Sequence, residues 1–268
     1  MNLAGARCLV VGGVRRLGRE IALDLARGGA AVCASSRRRD DAEEAVAALE
    51  RAGAVAAAAV SGDVGTPQAA AALVGSGARR LRGLDVVVFA ASGPFVPQRP
   101  EQLDEAAWDA SFDVVAKGFF FTACEALRLF TGAGEAEAVT AGVTAGPAEN
   151  ETAHPPTRGV VVAITDCLGL QPWAAFAAHG AAKAAQIHLV KELARAWAPD
   201  GVRVCGVAPG PVDLEDDEHR AATLRAASKG GDERLVTPAQ VAAAVRFCIE
   251  NDGVTGVNVV VDAGALLS

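Results

Sequence analysis

The chain of 268 residues has no tyrosine, a single methionine and only 4% aromatic residues. Without tyrosine there is no phenolic hydroxyl to act as an acid or as a buried donor, so any proton chemistry falls to other side chains. No apolar run reaches the roughly 20 residues that a membrane helix requires. The six cysteines (Cys8, Cys33, Cys124, Cys167, Cys205 and Cys248) contain no CxxC pair, which argues against a zinc or dithiol framework. Cys8, Cys33, Cys205 and Cys248 lie in apolar stretches and are expected as reduced core residues. Positive charge is in deficit too: 25 Lys and Arg against 32 Asp and Glu leave a formal net charge of −7. Such a surface repels phosphate backbones and anionic lipid. The clearest basic patch, Arg37-Arg38-Arg39, is followed at once by Asp40 and Asp41. Neither nucleic acid nor membrane is expected as a partner, no metal site is expected, and the expected partner is a small-molecule substrate. The first eight residues run straight into a strand pattern without the layout of a signal peptide, which makes a cytoplasmic location the expectation.

What is present is an apolar chain with 51% hydrophobic residues, much of it alanine, enough to bury a large core. Short β-branched runs at 6–12, 30–35, 55–61, 85–90, 159–165, 202–207 and 258–262 alternate with Ala/Leu-rich helical stretches near 17–28, 41–52, 67–80, 105–131, 175–198 and 238–250. The strand runs are continuously apolar, as in parallel strands covered on both faces. Strand–helix alternation along the whole chain predicts an α/β fold: one Rossmann-type domain over 1–268, a doubly wound parallel sheet of about seven strands flanked by helices. Two segments break the rhythm. Residues 131–158, rich in Gly, Ala, Pro, Thr and Glu, read as a mobile surface excursion. Residues 209–231, which carry Glu215-Asp216-Asp217-Glu218, follow a strand's C-terminal end and read as a lid or as a solvated loop and helix.

The first unit places Gly12, Gly13 and Gly18 between an apolar strand and an amphipathic helix, with Val14, Arg15, Arg16 and Leu17 inside the turn. Gly12 suits the tight turn and Gly18 close helix packing, while the free N–H groups of the helix start favour a pyrophosphate. Dinucleotide folds that prefer NAD place an acid near the end of the second strand. Here that strand ends Ser35-Ser36-Arg37-Arg38-Arg39. Arginines there suit a 2′-phosphate dianion, and Arg16 is within reach of the same corner, so NADP(H) is the expected cofactor.

These residues, with Asp63-Val64, Pro209-Gly210 and the C-terminal Val254-Thr255-Gly256 and Val260-Val261-Asp262-Ala263-Gly264, resemble the short-chain dehydrogenase/reductase family over essentially the whole chain. The resemblance implies that Asp63 and Val64 contact the adenine, that Ala90, Ala91 and Ser92 line the cofactor cleft, and that Pro209, Gly210 and Val212 face the nicotinamide end. It also implies a homodimer or homotetramer built through the helices near 105–131 and 175–198. Within the family, the turn Gly12…Arg15-Arg16-Leu17-Gly18, Asp166 in the slot of the usual catalytic Ser, Gln171-Pro172 and the excursion before the fifth strand are similar to pteridine reductases.

The departures lie at the catalytic end. The family's Tyr, four residues before a Lys, is replaced by His179 ahead of Lys183. Val115 stands at the family's helix Asn, Ala90 at the Asn of the fourth-strand motif, and Val11 at the Thr before the first glycine. A four-residue step puts His179 and Lys183 on one helix face. Imidazolium can donate a proton; Asp166 would favour that cation and Lys183 would oppose it. Asp166 and His179 are thus the candidate acid/base pair, and Lys183 the candidate ribose contact. Cys167 reads as structural, and His154, His188 and His219 show no partner pattern. The leading expectation is an NADPH-dependent reductase of a carbonyl or ring C=N, on a pterin-like or other cyclic molecule, with Phe95 and Trp173 as flat apolar surfaces. Two alternatives stay open: a lyase or isomerase using Asp166 and His179, and a non-catalytic partner subunit that keeps the cofactor.

Overall fold

The computed structural model describes residues 1–93, 95–133, 156–214 and 235–267. Seven strands form one sheet: β1 (Arg7–Val11), β2 (Ala31–Ser36), β3 (Ala56–Ser61), β4 (Val86–Phe89), β5 (Gly159–Ile164), β6 (Val202–Pro209) and β7 (Asn258–Val261). All pairings are parallel, and the order across the sheet is β3-β2-β1-β4-β5-β6-β7. The helices are α1 (Arg16–Arg27), α2 (Asp41–Ala52), α3 (Pro67–Leu81), α4 (Glu105–Phe112), α5 (Phe119–Thr131), α6 (Ala177–Trp197) and α7 (Pro238–Glu250). This is the expected doubly wound α/β architecture.

The strand period of two sorts the sheet's side chains into two cores. Cys8, Val10, Val86, Val88, Val160 and Val162 pack with α1, α2 and α7, including Ile21, Leu25, Leu49 and Val245. Their neighbours Leu9, Val11, Val87, Phe89, Val161 and Ala163 pack on the opposite face with α3, α5 and α6, including Val74, Phe119 and Val190. Each large side chain fully buried this way contributes about 1.5–3 kcal/mol. Full burial on both faces holds for β1, β4, β5 and β6 but not for the edges. In β3, Ala56 and Ser61 are exposed, and in β7 Val260 is exposed. An edge strand lacks a neighbour on one side and its flanking helices overhang it less.

The stretch 105–131, read from sequence as one helix, is interrupted. Between α4 and α5, residues Asp113–Gly118 form a wider π-helical turn. A Cβ on Gly118 would lie 2.9 Å from the Val64 carbonyl oxygen, so the turn bends where the loop after β3 presses on it. Val115 is fully buried in this turn. All six cysteines are free, and all but Cys124 are buried. Residues 134–155 of the excursion and 215–231 of the lid segment lie outside the described residues, as do His154 and His219. His188 is exposed on α6. Among the described residues no helix is long and apolar enough to cross a membrane.

Because the chain crosses from β3 back to β4 beside β1, the strand order reverses between β1 and β4. The connections leaving those two strands diverge to opposite faces, which opens a crevice at their C-terminal ends.

Candidate active site

The crevice is a cleft of about 1060 Å³. Gly12, Arg15, Arg16, Leu17, Gly18, Ser36, Arg37, Arg38, Asp63, Val64, Ala90, Ala91, Ser92, Asp166, His179, Lys183, Pro209, Gly210 and Val212, singled out in the sequence, all line it, whereas Gly13 and Arg39 do not. Its two ends are built differently.

At the β1 end the fit is set by backbone. Gly12 has φ +80°, in the left-handed region, and a Cβ there would lie 3.0 Å from the Ala91 nitrogen. Its N–H donates to Ser35 Oγ at 3.1 Å, tying the turn to the end of β2. Gly18 approaches so closely that a Cβ would sit 2.1 Å from the Gly12 carbonyl oxygen. Arg16 is held at φ +49°, a conformation uncommon outside glycine. The N-terminus of α1 has no side-chain cap and no acid in its first turn. By contrast α3, α4 and α7 are capped by Thr66, Asp104 and Thr237. The uncapped N–H groups and positive dipole end of α1 therefore open onto the cleft, ready for an anion. In the same cleft lie Arg15, Arg16, Arg37 and Arg38; the Arg38 N–H donates to Ser36 Oγ at 3.1 Å. These features fit a pyrophosphate and a further phosphate.

One resident of this corner escaped the sequence reading. Asp41, the first residue of α2, lines the cleft, lies 3.0 Å from Arg15 Nη2, and accepts from Ser36 Oγ at 3.2 Å. In the sequence it is 26 residues from Arg15 and looks like a carboxylate balancing the arginine run; only the approach of the glycine turn to the start of α2 brings the pair together.

At the β5 end the site is made of side chains. Asp166 follows β5 and caps the short 3-10 turn Cys167–Gly169, its Oδ1 accepting from the Leu168 N–H at 2.9 Å. That turn lies directly on α6, because a Cβ on Gly169 would be 2.8 Å from the Ala184 nitrogen. The contact sets Asp166 against His179, with Oδ2 3.6 Å from Nε2. His179 is only 5% exposed, and its Nδ1 is buried without a hydrogen-bond partner among the described residues. One turn further along α6, Lys183 is buried. Its Nζ donates to the Ile164 carbonyl at 2.7 Å and to Gln186 Oε1 at 3.2 Å. Burial pushes this amine down to about 8, against a smaller opposing pull from Asp166. Gln186, fully buried, is a polar partner that the sequence reading did not single out. Cys167 also lines the cleft, but its thiol donates to the Ala208 carbonyl at 3.6 Å and burial pushes it up to about 12, as suits a structural residue.

The mouth next to His179 is aromatic and apolar. Phe95 stacks on Phe176 with centroids 4.4 Å apart and meets the His179 ring edge-on at 5.2 Å. Pro97, Val114, Trp173, Pro211 and Leu214 complete this wall. Gln171 and Pro172 are exposed and do not line the cleft.

Comparison with known proteins places this geometry. The family described as short chain dehydrogenase matches residues 6–155, and the one described as Enoyl-(Acyl carrier protein) reductase matches residues 142–265. The chain is 30% identical to 3beta-hydroxysteroid dehydrogenase 1 of Eggerthella lenta, covering 99% of this chain and 95% of that protein. It is also 30% identical to Cis-4-hydroxycyclohexanecarboxylate dehydrogenase of Sinomonas cyclohexanicum, over 75% of this chain and 74% of that one. Among solved structures, a short chain dehydrogenase from Burkholderia cenocepacia in complex with NADP superposes with a TM-score of 0.80 at 28% identity, over 99% of this chain and 100% of that chain.

Proposed function

The chain belongs to the short chain dehydrogenase family of oxidoreductases, and from that premise we propose that it uses NADP(H) to interconvert a carbonyl and an alcohol on an uncharged cyclic small molecule. The observation that carries this reading is that an uncapped helix N-terminus, an arginine corner and the Asp166–His179 pair open into one cleft.

Gly12, Leu17, Gly18 and the first turn of α1 would hold the pyrophosphate. Arg15, Arg16, Ser36, Arg37 and Arg38 would hold the 2′-phosphate. Asp63 and Val64 would meet the adenine, Ala90, Ala91 and Ser92 the middle of the cofactor, and Pro209, Gly210 and Val212 its nicotinamide end. When bound, NADPH supplies the hydride. Charged Lys183 has three protons, two of which go to Ile164 and Gln186, leaving one for the ribose. His179, as imidazolium, gives its proton to the carbonyl oxygen, and the Asp166 carboxylate stabilises that cation.

The apolar wall of Phe95, Val114, Trp173 and Phe176 favours an uncharged ring over a polar one. The relatives named for a hydroxysteroid and a hydroxycyclohexanecarboxylate support a cyclic alcohol or ketone, and the apolar wall, not the second of those names, supports an uncharged one. A pterin-like C=N substrate draws less support, because Gln171 and Pro172, part of that likeness, lie outside the cleft lining. Assembly as a homodimer or homotetramer through α4, α5 and α6 draws support from the exposed Trp108, which stacks on Phe112 on the surface of α4.

The test is consumption of NADPH by the pure protein over a panel of cyclic ketones, quinones and pterins. Turnover of uncharged cyclic ketones is expected. Tight NADPH binding without turnover of any compound would favour the non-catalytic reading, and product formation without nucleotide would favour the lyase or isomerase.

A further inference from the structure

We propose that Asp41 is a built-in competitor at the 2′-phosphate corner, lowering affinity for NADP(H) and narrowing the preference over NAD(H). The inference rests on the NADP(H) reading above and concerns how strongly that reading is enforced.

The argument is one of donors. Ser36 has a single hydroxyl proton, and it goes to Asp41 Oδ2 at 3.2 Å, while its oxygen accepts from the Arg38 N–H at 3.1 Å. While Asp41 holds that proton, Ser36 has none for a phosphate oxygen. Arg15, one of two arginines in the glycine turn, points Nη2 at Asp41 Oδ1, 3.0 Å away. The Asp41 side chain is only 18% exposed, whereas that of Arg15 is 62% exposed and free to swing between partners. A bound 2′-phosphate dianion would need these same two donors and would sit beside a carboxylate of like charge. A ribose 2′-hydroxyl would meet no such conflict, because it can donate to that carboxylate. The hydrogen bond from Arg15 holds the Asp41 carboxyl below the usual carboxylate range, so the competing anion is present at neutral pH.

Asp41→Asn keeps the size of the side chain and removes its charge. Asp40→Asn, one residue earlier and exposed, controls for net charge alone. Calorimetric titration of the full-length wild type and both variants with NADPH and with NADH reads the effect directly. Asp41→Asn is expected to tighten NADPH binding about fivefold, with NADH unchanged or weakened. Asp40→Asn is expected to leave the NADPH-to-NADH affinity ratio within about twofold of wild type. Unchanged or weaker NADPH binding in Asp41→Asn would overturn the inference while leaving the cofactor reading intact. So would an equal gain in Asp40→Asn. Absence of NADPH binding to all three proteins would remove the cofactor reading and this inference with it.

Discussion

The two ends of the cleft answer to different physics. At the β1 end the decisive atoms are backbone: the Gly12 turn, the Gly12–Gly18 contact and the open start of α1. At the β5 end they are three side chains: Asp166 and His179, 3.6 Å apart, and the buried Lys183 held by a carbonyl and an amide. A backbone cradle survives most side-chain substitutions, provided its glycines remain. A side-chain triad can be changed residue by residue while the fold stands. That difference is consistent with a chain that lacks tyrosine yet keeps the glycine turn and open helix start at the other end of its cleft.

The comparison breaks most sharply at Gly18. In Gly18→Ala the new methyl meets the Gly12 carbonyl at 2.1 Å, and neither group lies on a flexible side chain. NADPH affinity should fall by more than about 100-fold, with a melting temperature lower by several degrees. Titration and thermal unfolding read both. Binding near the wild-type level would mean that the cradle is not the anchor.

Lys183 sharpens the contrast from the other side. Its folded value of about 8 lies below the ordinary lysine value of 10.5, so between those pH values the folded protein holds fewer protons than the unfolded chain. Stability from this residue therefore rises with pH across that window, by roughly 3 kcal/mol at most. Urea unfolding of the cofactor-free protein at several pH values should show this rise, and Lys183→Met should lack it. Parallel profiles would place the charge in a wetter setting than the structure gives it.

Asp166→Asn is expected to act on chemistry alone. The Asn oxygen still accepts from the Leu168 N–H, so the turn after β5 keeps its cap while His179 loses its counter-charge. The reduction rate should drop about tenfold with NADPH affinity unchanged, as single-turnover kinetics would show. The smallest effect is expected from Phe95→Ala, which removes the ring stacked on Phe176. KM for a cyclic ketone should rise about three- to tenfold, with kcat nearly constant.

Much of this was legible in the sequence, for reasons that differ by element. The inner strands β1, β4 and β5 were readable because burial on both faces leaves an apolar run, and β6 because its run is broken only by Arg203. The edges β3 and β7 were readable as strands but not as edges, since strand order is a tertiary property. The π turn at Asp113–Gly118 was invisible, because the Val64 carbonyl packed against it arrives from another part of the chain. At the site, short-range spacing revealed Gly12 to Gly18 and His179 to Lys183. Asp41 and Gln186 were missed because their roles depend on partners placed by the fold, Arg15 for one and the buried ammonium of Lys183 for the other.

The most direct test of the division between cradle and chemistry is His179→Ala, with NADPH affinity and the rate of cyclic-ketone reduction measured on the same preparation. The account predicts binding within about twofold of wild type and a rate lower by about 10²–10⁴. An undiminished rate, or a loss of binding equal to the loss of rate, would contradict it.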